Sequence, residues 1–349
     1  MEYDLKINNK THVYIIAEAG VNHNSDMQKA IELIEAANQA GADAVKFQSF
    51  KADKLVSKTA KKAKYQSENI GDGDDSQYNM LKRLELTEKD HIRLIEECKQ
   101  RDIQFLSTAF DVDGIDFLDG LDMPFFKSPS GEITNYPYLK RLAEKGKPVI
   151  LSTGMATLQE VKDALKVLIK FGLEKSMITV LHCNTEYPTP FEDVNLKAMN
   201  SIGNKLEVQI GYSDHTLGIE VPIAAVSLGA KVIEKHFTLD RNLPGPDHRA
   251  SLEPDELKEM VTSIRNIEKA ISGNGKKVTS SSEMKNIEVA RKSIYTTRAM
   301  KKGEVIENED IIALRPGNGI SPMEWENVIG KKVNRDYSVS EMLDWSSLK

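Results

Sequence analysis

Short apolar runs alternate with amphipathic stretches along most of the chain, and this pattern predicts alternating strands and helices. The predicted strands are rich in β-branched and aromatic residues and end at glycine, proline or polar positions. A helical stretch follows each run, as between residues 26 and 40 before Gly41. The eight predicted strands lie at 13–20, 42–49, 104–110, 124–131, 148–154, 178–184, 206–213 and 231–237.

Eight such β-α steps are typical of a (β/α)8 TIM barrel, although an open doubly wound sheet gives a similar alternation. Polar residues recur at the C-terminal ends of the predicted strands, where barrel enzymes carry their chemistry, so we favour the barrel. The polar stretch from residue 50 to about Leu86 interrupts the alternation. It is either a functional excursion or a solvated insertion.

The pattern changes after residue 273, where small and polar residues predict a linker. Residues 291–349 then form short β-rich runs with a late turn at 315–319, and they predict a small separate domain. A domain of about sixty residues is near the lower limit for an independent core, so we expect it to pack against another barrel. The predicted divisions are a barrel at 1–273, a linker at 274–290 and a C-terminal domain at 291–349.

Composition narrows the class of protein. The formal net charge of −6 and the pI near 5.8 give no general attraction to nucleic acid or to anionic membranes. Cys98 and Cys183 lie far apart and show no metal or redox spacing, which fits a reducing cytoplasm. The N-terminal residues lack the features of a signal peptide, and no run approaches the ~18 apolar residues of a membrane span. We therefore expect a cytoplasmic protein without nucleic-acid or membrane partners.

Two histidines at the ends of neighbouring predicted strands suggest a divalent metal site. His215 lies two positions beyond the seventh run and His236 near the end of the eighth. Imidazoles from adjacent strand ends, with carboxylates nearby, suit an open metal pocket, although a buried histidine can equally be a satisfied core residue. His182 lies within an apolar strand and His248 in a loop, and we count neither as a ligand.

Other strand ends carry groups suited to an anionic substrate. Lys46 and Lys127 follow apolar runs. Two ammonium groups beside hydroxyls can bind a phosphate and a carboxylate together. A solvated surface charge is the alternative for either lysine alone. Glu18 ends the first strand between small residues and can act as a general base. Further candidates are the hydroxyls of Thr108 and Ser213 for the anion, and Glu132 and Asp247 for substrate hydroxyls, with turn capping as the alternative for Asp247.

These residues stand in sequence blocks that closely resemble the sialic acid synthase family, also called nonulosonate synthases, almost from end to end. The blocks are Ala-Glu-Ala-Gly-Val-Asn-His at 17–23, Val-Lys-Phe-Gln at 45–48, Phe-Leu-Ser-Thr at 105–108, Lys-Ser-Pro-Ser-Gly-Glu at 127–132, Leu-Ser-Thr-Gly-Met at 151–155, Leu-His-Cys-Asn-Thr-Glu-Tyr-Pro-Thr-Pro at 181–190, Gly-Tyr-Ser-Asp-His-Thr at 211–216, Glu-Lys-His-Phe at 234–237, Gly-Pro-Asp-His at 245–248 and Arg-Pro-Gly-Asn-Gly at 315–319. The C-terminal domain resembles the antifreeze-like SAF domain of that family.

The resemblance implies an N-acetylneuraminate synthase, which condenses phosphoenolpyruvate with open-chain N-acetylmannosamine by C–O cleavage and releases phosphate. It implies Mn²⁺ on His215 and His236, with Glu18 as the catalytic carboxylate. It also implies a homodimer with swapped SAF domains, in which Arg315 reaches the partner's sugar site. By the same resemblance, phosphoenolpyruvate is bound by Lys46, Thr108, Lys127, Ser130, Asn184 and Ser213, and the sugar by Glu132, Tyr187, Asp247 and Arg315.

One position departs from the family pattern, and two other functions stay open. Some members read Cys-Thr-Asn-x-Tyr where this chain reads Cys-Asn-Thr-Glu-Tyr at 183–187, so Thr185 competes with Asn184 for the phosphate. The same motifs serve a legionaminic acid synthase acting on 2,4-diacetamido-2,4,6-trideoxymannose. A catalytically silent sugar-binding barrel, or an ice-binding role of the C-terminal domain alone, is the alternative from another class.

Overall fold

A computed structural model of the protein describes residues 12–349, which form two compact units with their boundary between Ser272 and Gly273. The prediction about a signal peptide rests largely on residues 1–11, which lie outside the described residues. Within the described part of the chain, no helix is both long and apolar enough to cross a bilayer.

The first unit contains a ring of eight parallel strands in the order β3-β2-β1-β8-β7-β6-β5-β4. All neighbours in this order pair in parallel, and β3 lies beside β4, so the ring is nearly closed. The predicted TIM barrel is confirmed. The strands are β1 (Tyr14–Gly20), β2 (Ala44–Ser49), β3 (Gln104–Ala109), β4 (Phe126–Ser128), β5 (Val149–Ser152), β6 (Ile178–Cys183), β7 (Gln209–Asp214) and β8 (Val232–His236).

Helices of this unit follow the strands in the order that the sequence predicts. Most begin at a capping residue; Thr157, for example, accepts a hydrogen bond from the Glu160 backbone N–H ahead of the helix it starts. The helices are α1 (Met27–Ala40), α2 (Ala52–Leu55), α3 (Lys64–Ile70), α4 (Gln77–Leu84), α5 (Glu88–Gln100), α6 (Val112–Gly120), α7 (Tyr136–Glu144), α8 (Leu158–Lys170), α9 (Lys197–Leu206), α10 (Glu220–Ser227) and α11 (Pro254–Ile271).

The inside of the barrel changes from apolar to polar along the strands. Alternate residues of a strand share one face, so Tyr14, Ile16 and Glu18 of β1 lie on the same face. Tyr14 and Ile16 belong to a buried cluster of eight residues from six of the strands and the segment before β4, and this cluster fills the lower part of the barrel. One step further along β1 and β2, Glu18 pairs in register with Lys46. Polar side chains therefore collect at the C-terminal end of the barrel.

The second unit has its own small core around a two-stranded antiparallel sheet. A helix at 281–290 occupies most of the segment that the sequence predicts as a linker. Its start carries a capping box, with the Ser280 N–H donating to the Glu283 carboxylate at 2.9 Å, and none of its residues is buried. The elements are α12 (Ser281–Ala290), β9 (Ser293–Thr296), β10 (Ile311–Leu314) and α13 (Trp325–Val328).

Candidate active site

A cavity of about 500 Å³ lies at the C-terminal ends of the barrel strands. It brings together most of the residues that the sequence singled out from separate strands. Arg315 is exposed and lies in the second unit, directly after β10. The predicted residues that line the cavity are Glu18, Lys46, Thr108, Lys127, Ser130, Glu132, Tyr187, Ser213, His215, His236 and Asp247.

Two lysines and two carboxylates alternate across the floor of this cavity. The Lys46 ammonium lies 2.6 Å from Glu18 Oε2 and 3.5 Å from Glu234 Oε2, and it donates to Thr108 Oγ1 at 3.1 Å. Lys127 Nζ lies 3.2 Å from Glu234 Oε1. All four charged side chains are buried, so their charges act in a poorly screened environment.

This alternation shifts the pKa values of three groups in different directions. Burial, and then the charge of Glu234, raises the pKa of Glu18 despite the adjacent Lys46. Burial disfavours the charged form of Lys46, but Glu18 and Glu234 outweigh it and raise the pKa of Lys46. Burial likewise opposes ionisation of Glu234, and the charges of Lys127 and Lys46 overcome it and lower the pKa of Glu234. Glu18 is therefore the carboxylate of this pair that takes up a proton more readily.

The two predicted metal ligands lie side by side at the edge of the same floor. The ring centroids of His215 and His236 are 5.2 Å apart. His215 bonds the Asn184 carbonyl oxygen through Nδ1, which leaves its Nε2 lone pair free for a metal. His236 Nδ1 is buried without a hydrogen-bond partner within residues 12–349.

The electrostatics of these histidines fit the chemistry of a metal ligand. Burial lowers the pKa of His215 to about 4 and, together with the neighbouring His215, lowers the pKa of His236 well below its usual range. Both imidazoles are thus neutral at neutral pH, the form that binds metal. In the described part of the chain, no group of three or more His, Cys, Asp or Glu side chains is arranged to hold a metal. The pair therefore fits a metal that takes its other ligands from water and substrate.

Aromatic rings link the histidines to the excursion after β2. The Tyr187 ring lies 4.1 Å from the His215 ring and 5.6 Å from the His236 ring, centroid to centroid. Tyr65, in α3, stacks on Tyr187 at 5.3 Å. The excursion is therefore a wall of the active-site cavity rather than a solvated insertion.

Two carboxyl groups that the resemblance assigns to the sugar line the cavity. Burial, and then the charge of Glu18, raises the pKa of Asp247 to about 7. Burial also raises the pKa of Glu132, against a hydrogen bond that its carboxylate accepts from the Asn135 amide. A carboxyl group that takes up a proton can both donate to and accept from sugar hydroxyls.

The structure favours Thr185 over Asn184 at the cavity wall. Asn184 Oδ1 accepts a hydrogen bond from the Glu186 N–H at 2.7 Å, and this bond stabilises the loop that contains both residues. Thr185 lines the cavity, next to Gly154, where an added Cβ would lie 2.5 Å from Thr185 Cγ2 and 2.8 Å from Ser130 Oγ. Gly154 thus allows this close approach, and its N–H donates to Ser130 Oγ at 2.9 Å.

Three further cavity residues, Glu234, Gln48 and Tyr65, were missed from the sequence pattern. Glu234 stands two positions before His236 on β8, so strand alternation alone puts both on one face. The same spacing relates Gln48 to Lys46 on β2, and the Gln48 amide donates to Glu18 Oε1 at 3.1 Å. No pattern in the sequence around Tyr65 marks it as a cavity residue, because its position depends on how the excursion folds.

Comparison with known proteins finds relatives that match most of the chain. The chain is 53% identical over 329 residues to the N,N'-diacetyllegionaminic acid synthase of Campylobacter jejuni, covering 94% of this chain and 98% of that relative. The N,N'-diacetyllegionaminic acid synthase of Legionella pneumophila is 49% identical over 338 residues, covering 96% and 94%. The crystal structure of the N-acetylneuraminic acid (sialic acid) synthetase of Leptospira borgpetersenii matches with a TM-score of 0.68 and 37% identity, covering 80% and 91%.

Family models cover most of the chain. The SAF domain model matches residues 291–349, and the NeuB family model matches residues 33–277. These matches confirm the resemblance on which the sequence interpretation relied. The chain therefore belongs to the NeuB family and carries a SAF domain at its C-terminal end.

Proposed function

We propose that the protein condenses phosphoenolpyruvate with 2,4-diacetamido-2,4,6-trideoxymannose to give N,N'-diacetyllegionaminic acid and phosphate. The two N,N'-diacetyllegionaminic acid synthases support this, because they are 53% and 49% identical to the chain over nearly its whole length. The sialic acid synthetase structure is 37% identical. The sequence favoured N-acetylneuraminate synthesis, and the comparisons instead support the legionaminic alternative.

The observation that carries the condensation chemistry is the alternating row of Glu18, Lys46, Glu234 and Lys127 beside the histidine pair. Two buried ammonium groups suit a small molecule that bears both a phosphate and a carboxylate. Hydroxyl groups at the ends of neighbouring strands add hydrogen-bond donors. We assign the phosphoenolpyruvate site to Lys46, Thr108, Lys127, Ser130 and Ser213, with Thr185 in preference to Asn184.

The reaction begins when C3 of phosphoenolpyruvate attacks the aldehyde carbon and a proton converts the aldehyde oxygen to a hydroxyl. His215 and His236 would hold a divalent metal, for which we propose Mn²⁺, and it would supply Lewis-acid chemistry at the aldehyde oxygen. The attack leaves positive charge at C2 of the former enol. The Glu18 carboxylate stabilises this charge and accepts a proton from the water that adds there. The tetrahedral adduct then collapses to a ketone as the C–O bond to phosphate breaks.

Phosphate release tests this function directly. Purified protein is incubated with Mn²⁺, phosphoenolpyruvate and the trideoxy sugar, and inorganic phosphate is measured against a reaction without sugar. We expect sugar-dependent phosphate, and ¹⁸O placed in the bridging position of phosphoenolpyruvate should appear in it. Absence of phosphate with every aldose tried would instead favour a silent sugar-binding barrel. Label retained in the sugar acid would exclude C–O cleavage.

We further propose that the SAF domain completes the site of a second copy of the chain. Two features support this. Arg315 is exposed after β10 and is free to meet another molecule, and the SAF domain has a core of its own around Ile294 and Met300. A guanidinium group there would donate to the acyl oxygen of a sugar acetamido group.

A further inference from the structure

The α4 helix turns one face into the active-site cavity. Its residues Gln77, Met80, Leu81 and Leu84 all line the cavity, and they follow the spacing of a single helical stripe. Three of these four side chains are apolar. The helix thus presents its hydrophobic stripe to the substrate space as well as to a protein core.

Other apolar side chains extend this surface on both sides of α4. Val21, Phe50, Met80 and Leu84 form one buried cluster, against which Leu55, Leu81 and Phe110 pack. Every one of these seven residues also lines the cavity. The apolar wall is defined here as Val21, Phe50, Leu55, Val56, Ala63, Met80, Leu81, Leu84 and Phe110.

Ion pairs and hydrogen bonds fix the segment that supplies most of this wall. The buried Lys62 ammonium lies 2.7 Å from Asp72 Oδ1, and Arg83 contacts the other oxygen of Asp72 at 2.7 Å. The Asn69 amide donates to the Pro246 carbonyl oxygen at 2.7 Å, next to Asp247. The wall therefore has a defined position beside the residues expected to bind the sugar.

Few polar atoms interrupt this surface, and one of them is free. Gln66 accepts from the Ala63 N–H at 2.9 Å, so its carbonyl is already used. The side-chain amide of Gln77 makes no hydrogen bond within residues 12–349. A ligand group that offers a methyl beside an amide would match both the apolar stripe and the Gln77 amide.

We propose that the apolar wall determines sugar specificity by binding the C6 methyl and the 4-acetamido methyl of a trideoxy sugar. This inference rests on the proposed function. A 6-hydroxyl group placed against these side chains would lose hydrogen bonds to water without gaining a partner, whereas a methyl group gains burial. An apolar surface of this kind discriminates by about 10-fold to 200-fold per group. The wall therefore selects the 6-deoxy, 4-acetamido sugar over N-acetylmannosamine.

Two variants of the wall test the proposal through the ratio of kcat/KM for the trideoxy sugar to kcat/KM for N-acetylmannosamine. Leu81→Gln adds an amide at a half-buried position, and Val56→Thr replaces a methyl by a hydroxyl at nearly constant volume. We expect Leu81→Gln to lower the ratio about tenfold. Val56→Thr should shift it in the same direction. Because Leu81 and Val56 are not among the residues assigned to the phosphoenolpyruvate site, KM for phosphoenolpyruvate should not change.

Leu228→Gln is the matched control, since Leu228 is 42% exposed after α10 and does not line the cavity. It should leave the ratio unchanged, and thermal unfolding shows whether each variant is folded. If the wild type prefers the trideoxy sugar but both wall variants lower kcat/KM for the two sugars by one common factor, the wall has no part in specificity. If the wild type itself prefers N-acetylmannosamine, the proposed function fails as well, so the two failures are distinguishable.

Discussion

Lys235 and Asp214 form an ion pair in which neither side chain has any exposed surface. The Asp214 carboxylate also accepts from the Thr216 N–H at 3.2 Å, and Lys235 donates to the Thr216 carbonyl oxygen. These three residues stand next to His215 and His236 in the chain. The pair therefore holds in place the backbone that carries both proposed metal ligands.

Lys235→Met should weaken folding and metal binding together. It leaves the Asp214 carboxylate buried without a counter-ion, which costs about 3–5 kcal/mol in the free energy of unfolding. Misplaced histidines should also bind Mn²⁺ about 10-fold to 100-fold more weakly, measured by calorimetry on the folded variant. Lys166→Met is the matched control, because Lys166 pairs with Asp163 on the exposed face of α8. Its loss should cost no more than about 1 kcal/mol and leave Mn²⁺ binding intact. Equal effects of the two substitutions would contradict the positioning role.

Removal of the metal should stop condensation without unfolding the barrel. The histidines are only two of many contacts at the strand ends, and the cores of both units do not depend on them. We expect a chelator to abolish phosphate release and Mn²⁺ to restore it, with little change in circular dichroism. His236→Ala should lose Mn²⁺ binding by calorimetry, whereas His182→Ala, at a histidine bonded to the Val194 carbonyl oxygen, should keep it. Retention of Mn²⁺ by His236→Ala would show that the metal lies elsewhere.

The buried carboxyl of Asp247 should make stability depend on pH. Burial, and then Glu18, raises the pKa of Asp247 to about 7, so the folded protein prefers the protonated form. Its contribution to stability is complete below about pH 4, where the unfolded chain is also protonated, and is lost as the pH rises towards 7. Asp247→Asn cannot undergo this loss. With a chelator present, thermal unfolding at each pH should show that the free energy of unfolding of Asp247→Asn rises relative to wild type from pH 4 to pH 8. This relative rise should be up to about 4 kcal/mol. A difference that stays constant with pH would contradict the raised pKa.

Mixing two inactive variants tests whether the SAF domain serves a second barrel. Glu18→Gln lacks the catalytic carboxylate, and Arg315→Ala lacks the proposed sugar contact. In a swapped heterodimer, the barrel with an intact Glu18 receives an intact Arg315 from the other chain. Activity should therefore return after the two proteins exchange subunits, and it should not return if each SAF domain serves its own barrel. Each variant mixed with itself is the control.

The sequence was informative where function follows from strand position. Parallel strands of a barrel place their C-terminal ends at one mouth, so Lys46, Lys127, His215 and His236 could be predicted to converge although they are far apart in the chain. The same rule, applied two residues back along β8, would have found Glu234.

The remaining features depend on packing between distant segments. The stretch after β2 is polar overall, and α4 is too short for its apolar stripe to indicate whether it faces a core or a cavity. The contacts of Tyr65 and Asn69 with the loops after β6 and β8 show that this stretch forms a wall of the site. The choice between Asn184 and Thr185 depends in the same way on the space that Gly154 leaves.

A competition between two sugars tests the central claim most directly. The enzyme is given Mn²⁺, limiting phosphoenolpyruvate, and equal concentrations of 2,4-diacetamido-2,4,6-trideoxymannose and N-acetylmannosamine. The two nine-carbon acids are then separated and quantified by mass spectrometry. We predict that N,N'-diacetyllegionaminic acid dominates the products by at least about tenfold. A mixture in which N-acetylneuraminic acid dominates would contradict the proposed function.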